Sequence, residues 1–179
     1  MKVVILRHAE TELNNSERFC GRTDCSITEN GRIITAKLAE VEPFISGFKV
    51  IYVSPLKRTV QTVKAIYSNC EYIVDERLIE ISLGSWEGIE KNSVNQSNRK
   101  DFLKGLYTPP NAEETHKEVV NRIISFFKEL ENTYNENDTI LVVTHNGVIR
   151  TIKQLLKMED SKTKNSCFFI IDSNDLAKM

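Results

Sequence analysis

Charge of one sign is missing from this chain. Its 24 basic residues nearly match its 25 acidic ones, for a formal charge of -1. That balance gives no footing for a nucleic-acid partner or for an anionic membrane surface. A local basic pocket stays open, because net charge is blind to clustering. Long apolar runs are missing too: none approaches the roughly 18 residues of a membrane helix. The start of the chain lacks the basic, apolar and small-residue order of a secretory signal. The four cysteines, Cys20, Cys25, Cys70 and Cys167, form no C-x-x-C pair. A chain of 179 residues buries enough core to do without disulfide staples, so reduced thiols are expected. These absences point to a cytoplasmic protein, with residues 1–179 forming a single domain of ordinary globular composition.

Several familiar site patterns are absent as well. There is no G-x-x-x-x-G-K-[ST] and no strand-linked G-x-G-x-x-G, so a nucleotide cradle has no support. There is no G-x-S-x-G elbow. His8-Ala9-Glu10 echoes the H-x-E of zinc deaminases, but no P-C-x-x-C follows it.

What the chain does have begins with Met1-Lys2-Val3-Val4-Ile5, an apolar, β-branched run that reads as a buried strand. Arg7 and His8 stand at its carboxyl end, the edge where open α/β sheets bind ligands. Residues 9–27 read as a long polar loop, a length that is often functional. Thr28 is placed to cap a helix running to about Glu42, with Ile33, Ile34, Leu38 and Val41 on its apolar face and Pro43 at its end. Lys49–Val53 is a second strand. It leads into Ser54 as a cap and Pro55 as the first residue of the next helix. Arg58 then sits in a first helical turn, where the helix dipole disfavours a cation, so it needs a partner such as an anion.

Tyr72–Val74 is a third short strand. Glu80 lies between Ile79 and Ile81 and either points to water or is partly desolvated; desolvation would raise its pKa and suit a general acid. Residues 89–112 read as an insert with a short helix near 96–105, covering the sheet edge as a lid. A long helix follows from about Glu113 to Tyr134, burying Val119, Val120, Ile123, Phe126, Phe127 and Leu130. His116 near its start reads as exposed. Thr139–Val143 is the clearest strand, with His145 at its end and a helix after it. Phe168–Ile171 reads as a last strand. Alternating strands and helices give an α/β fold with a largely parallel sheet.

Arg7, His8, Arg58 and His145 therefore gather on one edge: two guanidiniums, two imidazoles and the backbone N–H groups of helix starts. Forked guanidiniums suit phosphate oxygens, and the chemistry implied is phosphoryl transfer. Adjacent arginines would repel a cation. No metal and no cofactor are expected.

These residues carry a resemblance. Arg7-His8-Ala9-Glu10-Thr11 with Asn14 resembles the Arg-His-Gly-Glu-Thr signature of the histidine phosphatase superfamily, the group that includes phosphoglycerate mutases. Gly21, Thr23, Asp24 and Thr28 fit its next segment. Ser54–Thr59 with Gln61-Thr62, then Glu80, Gly84, Trp86, Glu87 and Gly88, then Val143–Arg150, fit its later blocks in order. The resemblance implies a three-layer sandwich around a mostly parallel sheet. It implies that His8 is the nucleophile, with Arg7, Arg58 and His145 holding the phosphoryl group. Glu80 is then the candidate acid and base, and Asn14, Thr23 and Asn146 are candidates for substrate contacts. Two departures stand out. Ala9 replaces a Gly and would be strained if φ were positive there. Asn111-Ala112-Glu113-Glu114-Thr115 replaces a Gly-Glu-Ser segment, and spacing to Arg122 favours Glu114-Thr115 as the match.

Three functions follow from this. The first is a metal-independent phosphomonoester hydrolase acting on a small cytosolic metabolite through a phosphohistidine. Its compact form is similar to α-ribazole phosphatase, with fructose-bisphosphate-type and broad-specificity sugar phosphatases as equal alternatives. The second is a phosphoglycerate mutase, disfavoured by the short 89–112 segment. The third is a non-catalytic module that binds a phosphorylated ligand. The expected partner is a small phosphorylated metabolite, with no nucleic acid or membrane, and the expected assembly is a monomer or a homodimer.

Overall fold

The computed structural model describes residues 1–159 and 163–176. Strand β1 spans Lys2–Arg7, and every residue after Lys2 is buried. Helix α1 (Glu12–Asn15) is a single turn that interrupts the expected polar loop. Thr11 caps it in a reciprocal box with Asn14. Helix α2 (Glu29–Ala36) starts, as expected, where the Thr28 hydroxyl accepts from Gly31 N.

Two expectations for α2 need correction. It gives way at Lys37 to a tighter turn through Glu40, and Ile33, Ile34 and Val41 are about half exposed. The inward face is Gly31 and Thr35. A Cβ at Gly31 would stand 2.7 Å from the Glu10 carbonyl. Close backbone contact there takes the place of apolar side chains.

Strand β2 (Val50–Val53) leads to helix α3 (Lys57–Ile66). The cap of α3 is Leu56, without a side-chain bond. Ser54 stands two residues before that cap; its hydroxyl accepts from Leu56 N at 3.4 Å and is paired with His145. Strand β3 is only Ile73–Val74. Helix α4 (Gln96–Leu103) is capped by Asn95 and fits the expected short helix. Helix α5 (His116–Thr133) begins at a capping box between Thr115 and Glu118. It buries Val119, Ile123, Phe126, Phe127 and Leu130, as their spacing requires. Strand β4 (Thr139–Thr144), helix α6 (Asn146–Leu155), strand β5 (Phe168–Asp172) and helix α7 (Ser173–Leu176) complete the order.

The five strands pair as β3-β2-β4-β1-β5. All pairings are parallel except β1 with β5. Alternate strand residues face opposite layers. Val3, Ile5, Tyr52, Ile140 and Val142 pack with the buried faces of α5 and α6. Val4, Leu6, Ile51, Val53, Leu141 and Val143 pack with α3 and Phe44. The result is the expected three-layer sandwich. Burying a side chain such as Phe126 contributes about 1.5–3 kcal/mol. Register brings Arg7 level with Thr144 and Val53 level with Val143. The residues that follow β1, β2 and β4 thus emerge side by side.

Candidate active site

His8 leaves β1 into a buried position at the floor of a cavity of about 160 Å³. Its Nδ1 lies 2.7 Å from the Ala9 carbonyl. A carbonyl only accepts, so Nδ1 carries the proton and Nε2 keeps its lone pair. Burial holds the His8 pKa well below the ordinary imidazole value, and the Arg58 and Arg7 guanidiniums push it the same way. The ring is therefore neutral around pH 7.

Ala9 itself is unstrained, because its φ is not positive. Its N–H donates to Thr62 Oγ1 at 2.9 Å, and that hydroxyl donates to the Arg58 carbonyl at 2.6 Å.

Arg7 also lines the cavity. One of its nitrogens donates to the Thr163 carbonyl at 2.6 Å. Its Nε is buried without a hydrogen-bond partner among the described residues. A charged donor left in that state costs about 1–3 kcal/mol.

Arg58 and His145 come to the same place but stand behind the cavity wall, both fully buried. Arg58 donates to the carbonyls of Gly21 at 2.7 Å and Thr23 at 2.9 Å, and its Nε donates to His145 Nδ1 at 3.2 Å. Carbonyl oxygens are thus the protein partners of this first-turn cation. His145 Nε2 lies 2.6 Å from Ser54 Oγ. With Nδ1 accepting, Nε2 carries the proton, so His145 is the opposite tautomer to His8. Burial, then Arg58, His8 and Arg7, hold its pKa well below the ordinary value. The two rings lie 5.2 Å apart.

Glu80 lies in the loop after β3 and reaches the cavity. One carboxylate oxygen accepts from Ile81 N at 2.9 Å and the other from Gly147 N at 3.2 Å. A Cβ at Gly147 would stand 2.5 Å from Glu80 Oε1, so a larger residue there would displace the carboxylate.

Asn14 and Asn146 line the cavity, but Thr23 does not. The Thr23 hydroxyl donates to Glu87 at 2.9 Å. Glu87 also accepts from Arg22 N and Leu83 N. Glu114 pairs with Arg122 through two 3.0 Å bonds, as the spacing expected, and with Arg22 at 2.9 Å. The Glu113 carboxylate pairs with Arg22 at 2.6 Å, and the Glu113 N–H donates to Ser82 Oγ at 2.9 Å.

His116 is half-buried, lines the cavity and packs against Gly105, so the exposed reading needs correction. Asn165 had no signal in the sequence, being a lone amide in a pattern-free stretch. Its Nδ2 donates to the carbonyls of His8 at 3.0 Å and Ala9 at 3.3 Å and to Asn14 Oδ1 at 3.1 Å. It clamps the loop that holds His8. All four cysteines are free.

Residues 3–168 match the family model described as histidine phosphatase superfamily (branch 1). The chain belongs to the histidine phosphatase superfamily. It is 34% identical over 158 residues to phosphoserine phosphatase 1 of Hydrogenobacter thermophilus, a match covering 85% of this chain and 74% of that one. It is 28% identical over 163 residues to a 2,3-bisphosphoglycerate-dependent phosphoglycerate mutase of Rhizobium etli, covering 85% and 78%.

The fold is shared with the structure of a mycobacterial glucosyl-3-phosphoglycerate phosphatase at a TM-score of 0.82. That match has 24% identity and covers 94% of this chain and 91% of the other. A phosphoglycerate mutase of Thermus thermophilus aligns at a TM-score of 0.80 and 23% identity, covering 97% and 94%. As a histidine phosphatase, the chain is an enzyme of the phosphatase class, within a superfamily whose members here carry both phosphatase and mutase names. Among the described residues, no helix is long and apolar enough to cross a membrane.

Proposed function

We propose that this histidine phosphatase hydrolyses a small cytosolic phosphomonoester through a phosphohistidine on His8, without a metal or cofactor, as a monomer or homodimer. The observation that carries the proposal is the His8 ring. It is buried at the cavity floor, its tautomer is set by Ala9, and its Nε2 keeps a lone pair in a cavity that Arg7, with its unpartnered Nε, also lines.

In the first step Nε2 attacks phosphorus in line. The N–P bond forms as the P–O bond to the alcohol breaks, and Glu80 gives the departing oxygen its proton. In the second step Glu80 takes a proton from water, whose oxygen attacks phosphorus. Inorganic phosphate leaves, and the N–P electron pair returns to His8. Arg7 stabilises the charge on the equatorial oxygens. Arg58 and His145 stand behind the cavity; Arg58 keeps two N–H donors beyond its three present bonds, whereas both ring nitrogens of His145 are engaged, by Arg58 and Ser54. Asn14 and Asn146 flank the phosphoryl position. Thr23 stands off the cavity and instead helps to hold Glu87, which also accepts from Arg22 N.

The test is phosphate release from phosphoserine, α-ribazole phosphate, sugar bisphosphates and 3-phosphoglycerate, with EDTA present. Release undisturbed by EDTA, with acid-labile labelling of His8, is the expected result. Interconversion of 3- and 2-phosphoglycerate without release would make the enzyme a mutase, the activity one relative's name carries. Binding without either reaction would leave the non-catalytic module. A compact cavity and an apolar rim support the α-ribazole phosphatase likeness no more than other small phosphomonoesters, so the panel decides the substrate.

A further inference from the structure

We infer that the cavity holds the alcohol part of its substrate in an aromatic subsite, so that the preferred alcohol carries a planar apolar ring. This inference rests on the phosphatase reading above. Three rings line the cavity away from the phosphoryl floor: Phe19, Phe102 and Tyr107. All three are only half-buried, so each has ring surface to offer.

None of them is a loose rotor, because all pack on one buried ring, Trp86. Trp86 stacks on Tyr107 at 5.6 Å and 17° and meets Phe102 edge-on at 5.5 Å and 66°. It lies 5.4 Å from Phe19 at 35°. Trp86 is 6% exposed and does not itself line the cavity. It is the backing that holds the other rings in place. Its turn is tied to the 89–112 segment, where Ser85 N donates to the Pro110 carbonyl at 2.8 Å. Leu83, Leu103 and Pro109 fill in beside the rings.

A wall built this way is organised before the ligand arrives, which lowers the entropy cost of binding. Its geometry suits offset or edge-on contact with one more ring. A small charged alcohol would leave the wall facing water. It would also meet rim cations that are already occupied. Arg18 donates to Glu90 and the Gly88 carbonyl, and neither Lys91 nor Arg150 is free.

The experiment compares kcat/KM for benzyl phosphate, phosphoserine and glycerol 3-phosphate. All three release alkyl-type alcohols, so the comparison reads recognition rather than leaving-group reactivity. Benzyl phosphate is expected to lead by about 10- to 100-fold, the worth of burying one phenyl group. Phe102→Ser and Tyr107→Ser should each narrow that ratio by about tenfold.

A second measurement needs neither variants nor turnover: calorimetric binding of benzylphosphonate against methylphosphonate. Tighter binding of benzylphosphonate by the same factor is expected. If phosphoserine leads and the two phosphonates bind alike, the aromatic subsite is overturned while the hydrolase reading stands. If nothing is hydrolysed but benzylphosphonate still binds tighter, the subsite stands and the hydrolase reading falls.

Discussion

The floor of the cavity and its wall are held by different forces. Arg7 and His8 issue from β1, Gly147 sets the approach of α6 to Glu80, and Asn165 and Ala9 fix the His8 loop. Every one of these is a hydrogen bond to backbone or a sheet register. The wall is ring packing around Trp86, with Phe19 contributed from before it in the chain and Phe102 and Tyr107 from after it. Directional bonds set where charge and lone pairs go; packing sets only shape. Floor lesions should therefore slow the chemistry itself, while wall lesions should redistribute activity among substrates.

The hardest break of the floor is His8→Ala. It should lower kcat/KM at least about 10⁴-fold for every phosphomonoester and remove covalent labelling with it. Retained labelling would move the nucleophile elsewhere. Next is Glu80→Gln, which keeps a backbone contact but loses the proton. It should cost about 10²–10⁴-fold with alkyl phosphates and much less with p-nitrophenyl phosphate, whose leaving group needs no proton. Equal slowing would remove Glu80 from the acid role.

Asn165→Ala should lower kcat about tenfold with KM within about twofold, the usual worth of a group that orients a reacting one. Asn165→Asp should be worse, because a carboxylate would face the His8 and Ala9 carbonyls. A lowered melting temperature with unchanged kcat in both variants would reduce Asn165 to a stabilising role. None of these three positions should alter the ratio of aromatic to polar substrates through binding.

The same division explains what could be read from the sequence. β1 and β4 are continuous apolar runs with Val3–Leu6 and Ile140–Val143 wholly buried, and a central parallel strand writes itself that way. α5 shows its helical period for the same reason. The order of strands placed Arg7, His8, Arg58 and His145 together, and their positions hold. Their bonds were harder to foresee. Arg58 was expected to need a partner such as an anion, and its protein partners are the loop carbonyls of Gly21 and Thr23, 37 and 35 residues away. Ser54 has the residue type of a cap, but His145 takes its hydroxyl from across the sheet. α2 misleads because Gly31 buries backbone rather than an isoleucine. The antiparallel sense of β5 and the reach of Asn165 depend on contacts more than 150 residues apart, which no local pattern encodes.

The smallest effect sharpens the comparison through pH. His8 and His145 are both held well below the ordinary imidazole pKa, first by burial and then by neighbouring guanidiniums. In the unfolded chain each titrates near about 6.5. Between that value and the lowered folded value, the unfolded state binds more protons. Stability contributed by keeping these rings neutral is therefore fully present above about pH 6.5 and declines as pH falls toward the folded values. The urea midpoint should drop between about pH 7.5 and 5.5, while the ring signals of both histidines in NMR remain those of neutral imidazole at about pH 6. Either ring titrating near about pH 6.5 would undo the neutral-nucleophile argument. Phe102→Ser lies in the wall, apart from both of these rings. It should lower the midpoint at both pH values and leave the difference between them as it is in the parent. A wall variant that changed that difference would mean that the two regions are coupled, and that the division between directional bonding and packing fails at the cavity floor.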